Sequence, residues 1–364
     1  MEGTKTKEVI KKLSKRWFID AFSGMAQGLF CTLIAGTILS LIAGWIGDNF
    51  FGKTVGSIAT VAKMLMGAGI GVGIAHSLKA SKLTMFSALV AGFLGAFADK
   101  FVEGTFVFDF AKPGMIPGNP VGAYVVSLFA IELVSLYAGK TKLDIILVPL
   151  GMFFVTFAGF YLAYPFVLFI RLLGGWISVA TSITPFFMGI IISVAMGVLL
   201  TMPTSSAAIW VSVASGITDD AMLIAGGAAV VGCSCHMIGF AVASYRENGV
   251  SGLISQGIGT SMLQIPNIMK KPVIMLPEII ASAILGPVAT CVFQLKCNAS
   301  GGGMGTSGLV GVFGTIEASK DMNTLVLILA ISLLLFILPA VISFIASEIM
   351  RKKGWIKFGD QKLE

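Results

Sequence analysis

The run Thr324-Leu-Val-Leu-Ile-Leu-Ala-Ile-Ser-Leu-Leu-Leu-Phe-Ile-Leu-Pro-Ala-Val-Ile-Ser-Phe-Ile-Ala-Ser347 contains no charged side chain. About 20 apolar residues in a helix span the ~30 Å hydrocarbon layer, so the run predicts a clean transmembrane helix reaching Ile349. The rest of the chain repeats the pattern. Of 364 residues, 56% are hydrophobic and 12% charged, against roughly 25% charged in soluble domains. The composition predicts an all-α polytopic membrane protein of about ten transmembrane helices. Once those are subtracted, no polar stretch is long enough for a soluble catalytic or nucleotide-binding domain.

The net charge of +7 is concentrated at the two ends. Lys5, Lys7, Lys11, Lys12, Lys15 and Arg16 open the chain, and Arg351, Lys352, Lys353, Lys357 and Lys362 close it. Basic flanks stay on the cytoplasmic side, so both termini are expected inside, as basic tails over residues 1–20 and 351–364. The tails lack the interleaved aromatic residues of a nucleic-acid-binding module, and no such partner is expected. Cys31, Cys233, Cys235, Cys291 and Cys297 lie mostly in apolar runs, where a thiol behaves as a small hydrophobe. The Cys233-x-Cys235-His236 group lacks the usual ligand spacing and a second ligand pair. Neither a metal nor another cofactor is expected.

Regular spans fill residues 21–172, with Gly67, Gly69, Gly71 and Gly73 lining one of them for close helix approach. Residues 173–184, with Trp176, suit a separate interfacial helix. Residues 185–350 are less regular. Pro203-Thr-Ser-Ser206 and Gly216-Ile-Thr-Asp-Asp220 interrupt apolar sequence, as do the prolines between Pro266 and Pro287. Broken backbone at membrane depth is tolerated only where protein or a wet cavity covers it. Two re-entrant hairpins, near 203–222 and 266–290, are therefore expected.

The string Pro266-Asn-Ile-Met-Lys-Lys-Pro-Val-Ile-Met-Leu-Pro277, with Leu285-Gly-Pro287 downstream, resembles the membrane subunit, component IIC, of bacterial phosphotransferase sugar permeases of the glucose superfamily. The blocks Gly257-x-Gly-Thr-Ser-Met-Leu-Gln-Ile-Pro-Asn-Ile268 and Ala281-Ser-Ala-Ile-Leu-Gly-Pro287 resemble the stand-alone group that includes the perfringolysin regulatory membrane protein. The resemblance implies a scaffold that homodimerises, a transport domain and separate IIA and IIB phosphoryl-carrier subunits. It implies the bacterial cell membrane as location and no catalysis by this chain alone. One departure stands out. The acid of the family's Asn-Ile-x-Glu-Pro motif is matched by Lys271, which accepts no proton from a sugar hydroxyl while charged.

Ionisable groups at membrane depth are costly and usually face a cavity or a partner. On that ground His236, Asp219, Asp220, Lys271 and Glu278 are candidates for contact with a solute, joined by Asn267, Gln264 and the hydroxyls Thr204 and Ser205. The alternative for Asp219 and Asp220 is capping of the following helix, and for Thr204 and Ser205 a self-satisfied turn. The Gly301–Gly308 run lacks the Gly-Lys-Ser/Thr ending of a phosphate loop. The expected function is a permease that binds a small hydrophilic solute, a sugar or acidic sugar, and moves it by alternating access. The alternative is a membrane sensor or regulator that keeps the binding fold without transport.

Overall fold

A computed structural model describes residues 12–106, 118–202 and 205–363. Among the described residues the secondary structure is helical, and the chain divides between Leu172 and Leu173 into two compact units.

The first unit holds α1 (Lys12–Ile46), α2 (Phe50–Met64), α3 (Met66–Ser77), α4 (Lys82–Gly95), α5 (Ala98–Val102), α6 (Pro120–Ser135) and the first part of α7 (Asp144–Ile183). Polar side chains start these helices where the sequence turns. Asn49 accepts from the Gly52 N–H, Ser81 from Thr84, and Asn119 from Val121 ahead of Pro120 in the first turn. The glycines of α3 serve two faces. A Cβ on Gly73 would lie 2.1 Å from the Gly24 carbonyl oxygen on α1, and one on Gly71 would lie 2.0 Å from that of Ala88 on α4. Spacing of four residues places 69 and 73 on one face and 67 and 71 on another. Glu132 pairs with Arg16 at 2.6 Å. Asp99 pairs with Arg171.

Helix α7 runs unbroken for 40 residues through Pro149 and Pro165. At 1.5 Å per residue it is about 60 Å long. Residues 173–184, expected as a separate interfacial helix, are instead its C-terminal turns up to Ile183. Each proline removes one backbone donor without ending the helix, because apolar surroundings leave the chain no better way to satisfy its remaining backbone groups.

The second unit continues with α8 (Pro185–Thr201), α9 (Ser206–Ala214), α10 (Asp220–Ala243), α11 (Tyr245–Ile254), α12 (Ile265–Lys270), α13 (Pro272–Phe293), α14 (Ala299–Gly302), α15 (Val310–Ala318) and α16 (Thr324–Lys352). Helix α10 is its hub. Its sequence is apolar or small all round, as befits a helix covered on every side, and α8, α13 and α16 pack against it. Val230 and Val231 of α10 meet Leu285 of α13 and Leu334 and Leu335 of α16 in one buried cluster.

Among the described residues five helices, α1, α7, α10, α13 and α16, are long and apolar enough to cross a membrane. The pair α2 and α3, bent by 52°, makes a sixth if it is one span. Helices α4, α6 and α8 have 14, 16 and 17 residues. At 1.5 Å per residue these reach only about 21 to 26 Å, and Ser307–Ala318 is a fourth short apolar helix; the expected number of ten is reached when these four are counted with the six. Of the segment 203–222, Pro203 and Thr204 lie outside the described residues; α9 and a turn at Gly216 (φ +82°) follow.

The second basic flank is folded. After α16 the chain turns at Gly354 and Gly359, both at positive φ. Ile356 is buried against Phe240, Ile268, Ile274 and Met350. Residues 353–363 thus lie on their own unit.

Candidate functional site

Two prolines shape the segment that carries the sequence motif. Thr260 is extended and caps a short turn, Ser261–Gln264; Pro266 sits in the first turn of α12. Lys271, forced out of helical geometry by Pro272, adopts φ −149° and ψ 83° before α13 begins.

This geometry points three amides inward. Gln256 and Gln264 are fully buried and Asn267 is nearly so. They form a ladder. Gln256 donates to Ser244 Oγ at 2.9 Å, Gln264 Nε2 donates to Gln256 Oε1 at 2.8 Å, and Asn267 Nδ2 donates to Gln264 Oε1 at 2.8 Å. Buried amides must be paired or they cost 1–3 kcal/mol each, roughly. Here the chain's own strap, residues 359–363, completes the pairing. Gln264 Nε2 donates to the Gln361 carbonyl at 2.9 Å, Asn267 Nδ2 to that of Lys362 at 2.9 Å, and Asn248 Nδ2 to that of Gln361 at 2.8 Å.

Charge seals both edges of this cluster. Lys271 Nζ lies 2.6 Å from Asp360 Oδ2. Arg351 pairs with the fully buried Glu247 at 2.9 Å and also donates to Gln361 Oε1 at 2.8 Å. Partial burial pushes the Asp360 carboxyl up, but its bonds from the Lys271 ammonium and the Lys357 N–H outweigh that and hold it below the ordinary carboxylate range.

Next to the ladder, Thr201 Oγ1 lies 2.9 Å from His236 Nδ1 and 2.9 Å from Ser261 Oγ. The imidazole packs against Gly197, where a Cβ would come within 2.4 Å of the ring carbon Cδ2. Its Nε2 is buried with no partner among the described residues.

Of the expected site residues, Gln264, Asn267 and Lys271 are brought together, and His236 adjoins them through Ser261. The others are elsewhere. Asp219 caps α10, accepting from the Met222 N–H at 2.7 Å and from Ser178 Oγ at 2.8 Å. Asp220 pairs with Lys296 at 3.0 Å, and the hydrogen bonds that this ammonium donates to Asp321 and Asp220 raise its affinity for its proton. Ser205 caps α9, accepting from Ala208 N–H at 3.1 Å. Thr204 lies outside the described residues. Glu278 is buried on α13 beside Gly239. Four members of the cluster carried no sequence signal: Asn248, Gln256, Asp360 and Gln361. Asp360 stands among five basic residues of the last stretch, which read as a topology signal and concealed a partner for Lys271.

The family model for the phosphotransferase system, EIIC, matches residues 19–363. No curated protein and no solved structure matches the chain.

Proposed function

Because the chain belongs to the phosphotransferase system EIIC family, and is thus a multi-pass membrane component of phosphotransferase-type sugar transport, we propose that it is a permease for a sugar or acidic sugar working by alternating access. The carrying observation is the ladder of Gln256, Gln264 and Asn267 with Lys271 at its edge. Its donors end on two backbone carbonyls and one carboxylate of the strap. Those are the acceptor types that sugar oxygens and a sugar acid present. Solute takes the place of residues 360–362, Asn267 and Gln264 grip its oxygens, and Lys271 exchanges Asp360 for the acid. His236, with its free Nε2, completes the polar wall.

The basic ends support cytoplasmic termini, and the reading includes the bacterial cell membrane, separate IIA and IIB subunits, a homodimer and the two re-entrant hairpins. The likeness of residues 257–268 and 281–287 to the perfringolysin regulatory group belongs to the same reading.

A thermal-shift series on the purified full chain tests it, with neutral monosaccharides, disaccharides and hexuronates as probes. A solute at a hundred times its Kd stabilises the folded state by about 2.7 kcal/mol. Asn267→Ala should abolish the shift from every active solute, and Lys271→Ala should abolish the shift from hexuronates alone. Equal stabilisation of wild type and Asn267→Ala would place the solute elsewhere.

A further inference from the structure

Glu278 is fully buried, and neither of its carboxylate oxygens has a hydrogen-bond partner among the described residues. It stands at a three-helix junction. A Cβ built on Gly239 of α10 would come within 2.8 Å of Glu278 Cγ on α13 and 2.6 Å of Ser343 Oγ on α16. The missing side chain at Gly239 is what lets carboxyl and hydroxyl share this position. Ser347 follows Ser343 by one turn on the same face, and both serine hydroxyls are buried without partners among the described residues. That sets them apart from other helical hydroxyls of this unit. Ser212, Ser234, Ser282 and Thr315 each donate to the carbonyl four residues back.

A bare carboxylate buried without partner or counter-ion is among the costliest groups a protein interior can hold. Among the described residues no counter-ion is paired with Glu278 on the packed elements. Helix α8 carries no ionisable residue. The ionisable groups of α10 are Asp220, paired with Lys296, Cys233, Cys235, close to Glu278 and Ser282, and His236, held by Thr201. On α16, Glu348 is engaged by Arg246 and Arg351 by Glu247. Lys271, ahead of α13, is engaged by Asp360.

We propose that Glu278, with Ser343 and Ser347, is a proton-binding site of the second unit. In the arrangement described the carboxyl group holds the proton. When α13 and α16 separate and water enters, the O–H bond of the acid breaks and the proton passes to water. The carboxylate left behind is hydrated by the water that has entered. Proton release is thereby tied to opening of the unit. This assignment concerns α10, α13 and α16 and does not depend on which solute the amide ladder binds.

The test is labelling of the purified full chain with dicyclohexylcarbodiimide, which reacts with protonated carboxyls in apolar surroundings, followed by peptide mass mapping. Modification should fall on Glu278, vanish in Glu278→Gln, and decline by up to about tenfold per pH unit above the midpoint, as for one proton. It should be the same in sodium chloride and choline chloride. Protection by sodium alone would make the site a sodium site and overturn the proposal, as would absence of labelling at every pH. Infrared spectroscopy gives a second readout. The carbonyl stretch of a protonated carboxyl should be present in wild type at neutral pH and lost in Glu278→Gln, which keeps the shape of the neutral acid. A spectrum unchanged by the substitution would show that Glu278 is charged.

Discussion

The ammonium of Lys271 lies 2.6 Å from a carboxylate oxygen of Asp360, a residue 89 positions further along the chain. The pair fastens the strap to the α12–α13 junction. Two half-buried charges in contact also define how the strap responds to pH. The Asp360 carboxyl is held below its ordinary value when folded, so its contribution is complete above that ordinary value and is lost as pH falls through the folded one.

The strap is therefore expected to stay docked from neutral pH down to about 4, the ordinary aspartate range, and to loosen only in more acidic solution. Hydrogen exchange of residues 355–363, followed from pH 7 downward, measures this. Asp360→Asn should expose the segment already at neutral pH. Identical protection in variant and wild type would mean that Ile356 and the backbone hydrogen bonds hold the strap without the ion pair.

Lys271→Glu sets a second carboxylate against Asp360. Like charges in contact repel, so the strap should be released, and stabilisation by neutral sugars should exceed that by hexuronates. A thermal-shift comparison of the variant with wild type reads both effects. An unchanged ranking of neutral against acidic solutes would separate Lys271 from solute choice.

Gln264 is the middle rung of the ladder. Gln264→Leu keeps bulk but strands the Gln256 carbonyl and one donor of Asn267. Each orphaned group costs about 1–3 kcal/mol, so a loss of several degrees in Tm is expected. Asn267→Ala strands the Gln264 side-chain carbonyl and the Lys362 carbonyl at the more exposed end of the ladder, where water reaches them, and should cost less. Reversal of that order in thermal melts would show that the ladder is not the unit that holds this region.

How far the sequence reached is clearest in these residues. The membrane class was legible because long uncharged runs such as Thr324–Ser347 have one physical solution. The family was legible from the blocks around Asn267 and Pro287. Polar groups such as Asn267, Gln264 and Lys271 in apolar sequence need partners, but that rule does not say which partners. The acids at 219 and 220 had two physically sound uses, and the structure shows a cap and a surface ion pair. The strap was invisible for a different reason. A stretch rich in lysine satisfies the positive-inside pattern whether or not it is docked, and docking depends on Ile356, Asp360 and Gln361, none of which follows a periodic pattern. The continuity of α7 past residue 172 was hidden as well, since glycine and tryptophan near its end resemble an interfacial segment.

Arg351 and Glu247 provide the sharpest energetic test of the docked strap's foundation. Their side chains are 10% and 0% exposed, and Arg351 also holds the Ala243 carbonyl and Gln361. Removing one member of a buried pair leaves the other charged and unpaired, at a cost of about 3–5 kcal/mol, whereas replacing both with apolar residues is often neutral. Arg351→Met should therefore lower the melting temperature strongly, and Glu247→Leu added to it should recover much of the loss. The double variant should still lack strap protection in hydrogen exchange, because Gln361 has lost its donor. If the double variant melts as low as the single one, the damage comes from lost packing around Arg351, and Glu247 is not the group whose charge must be answered.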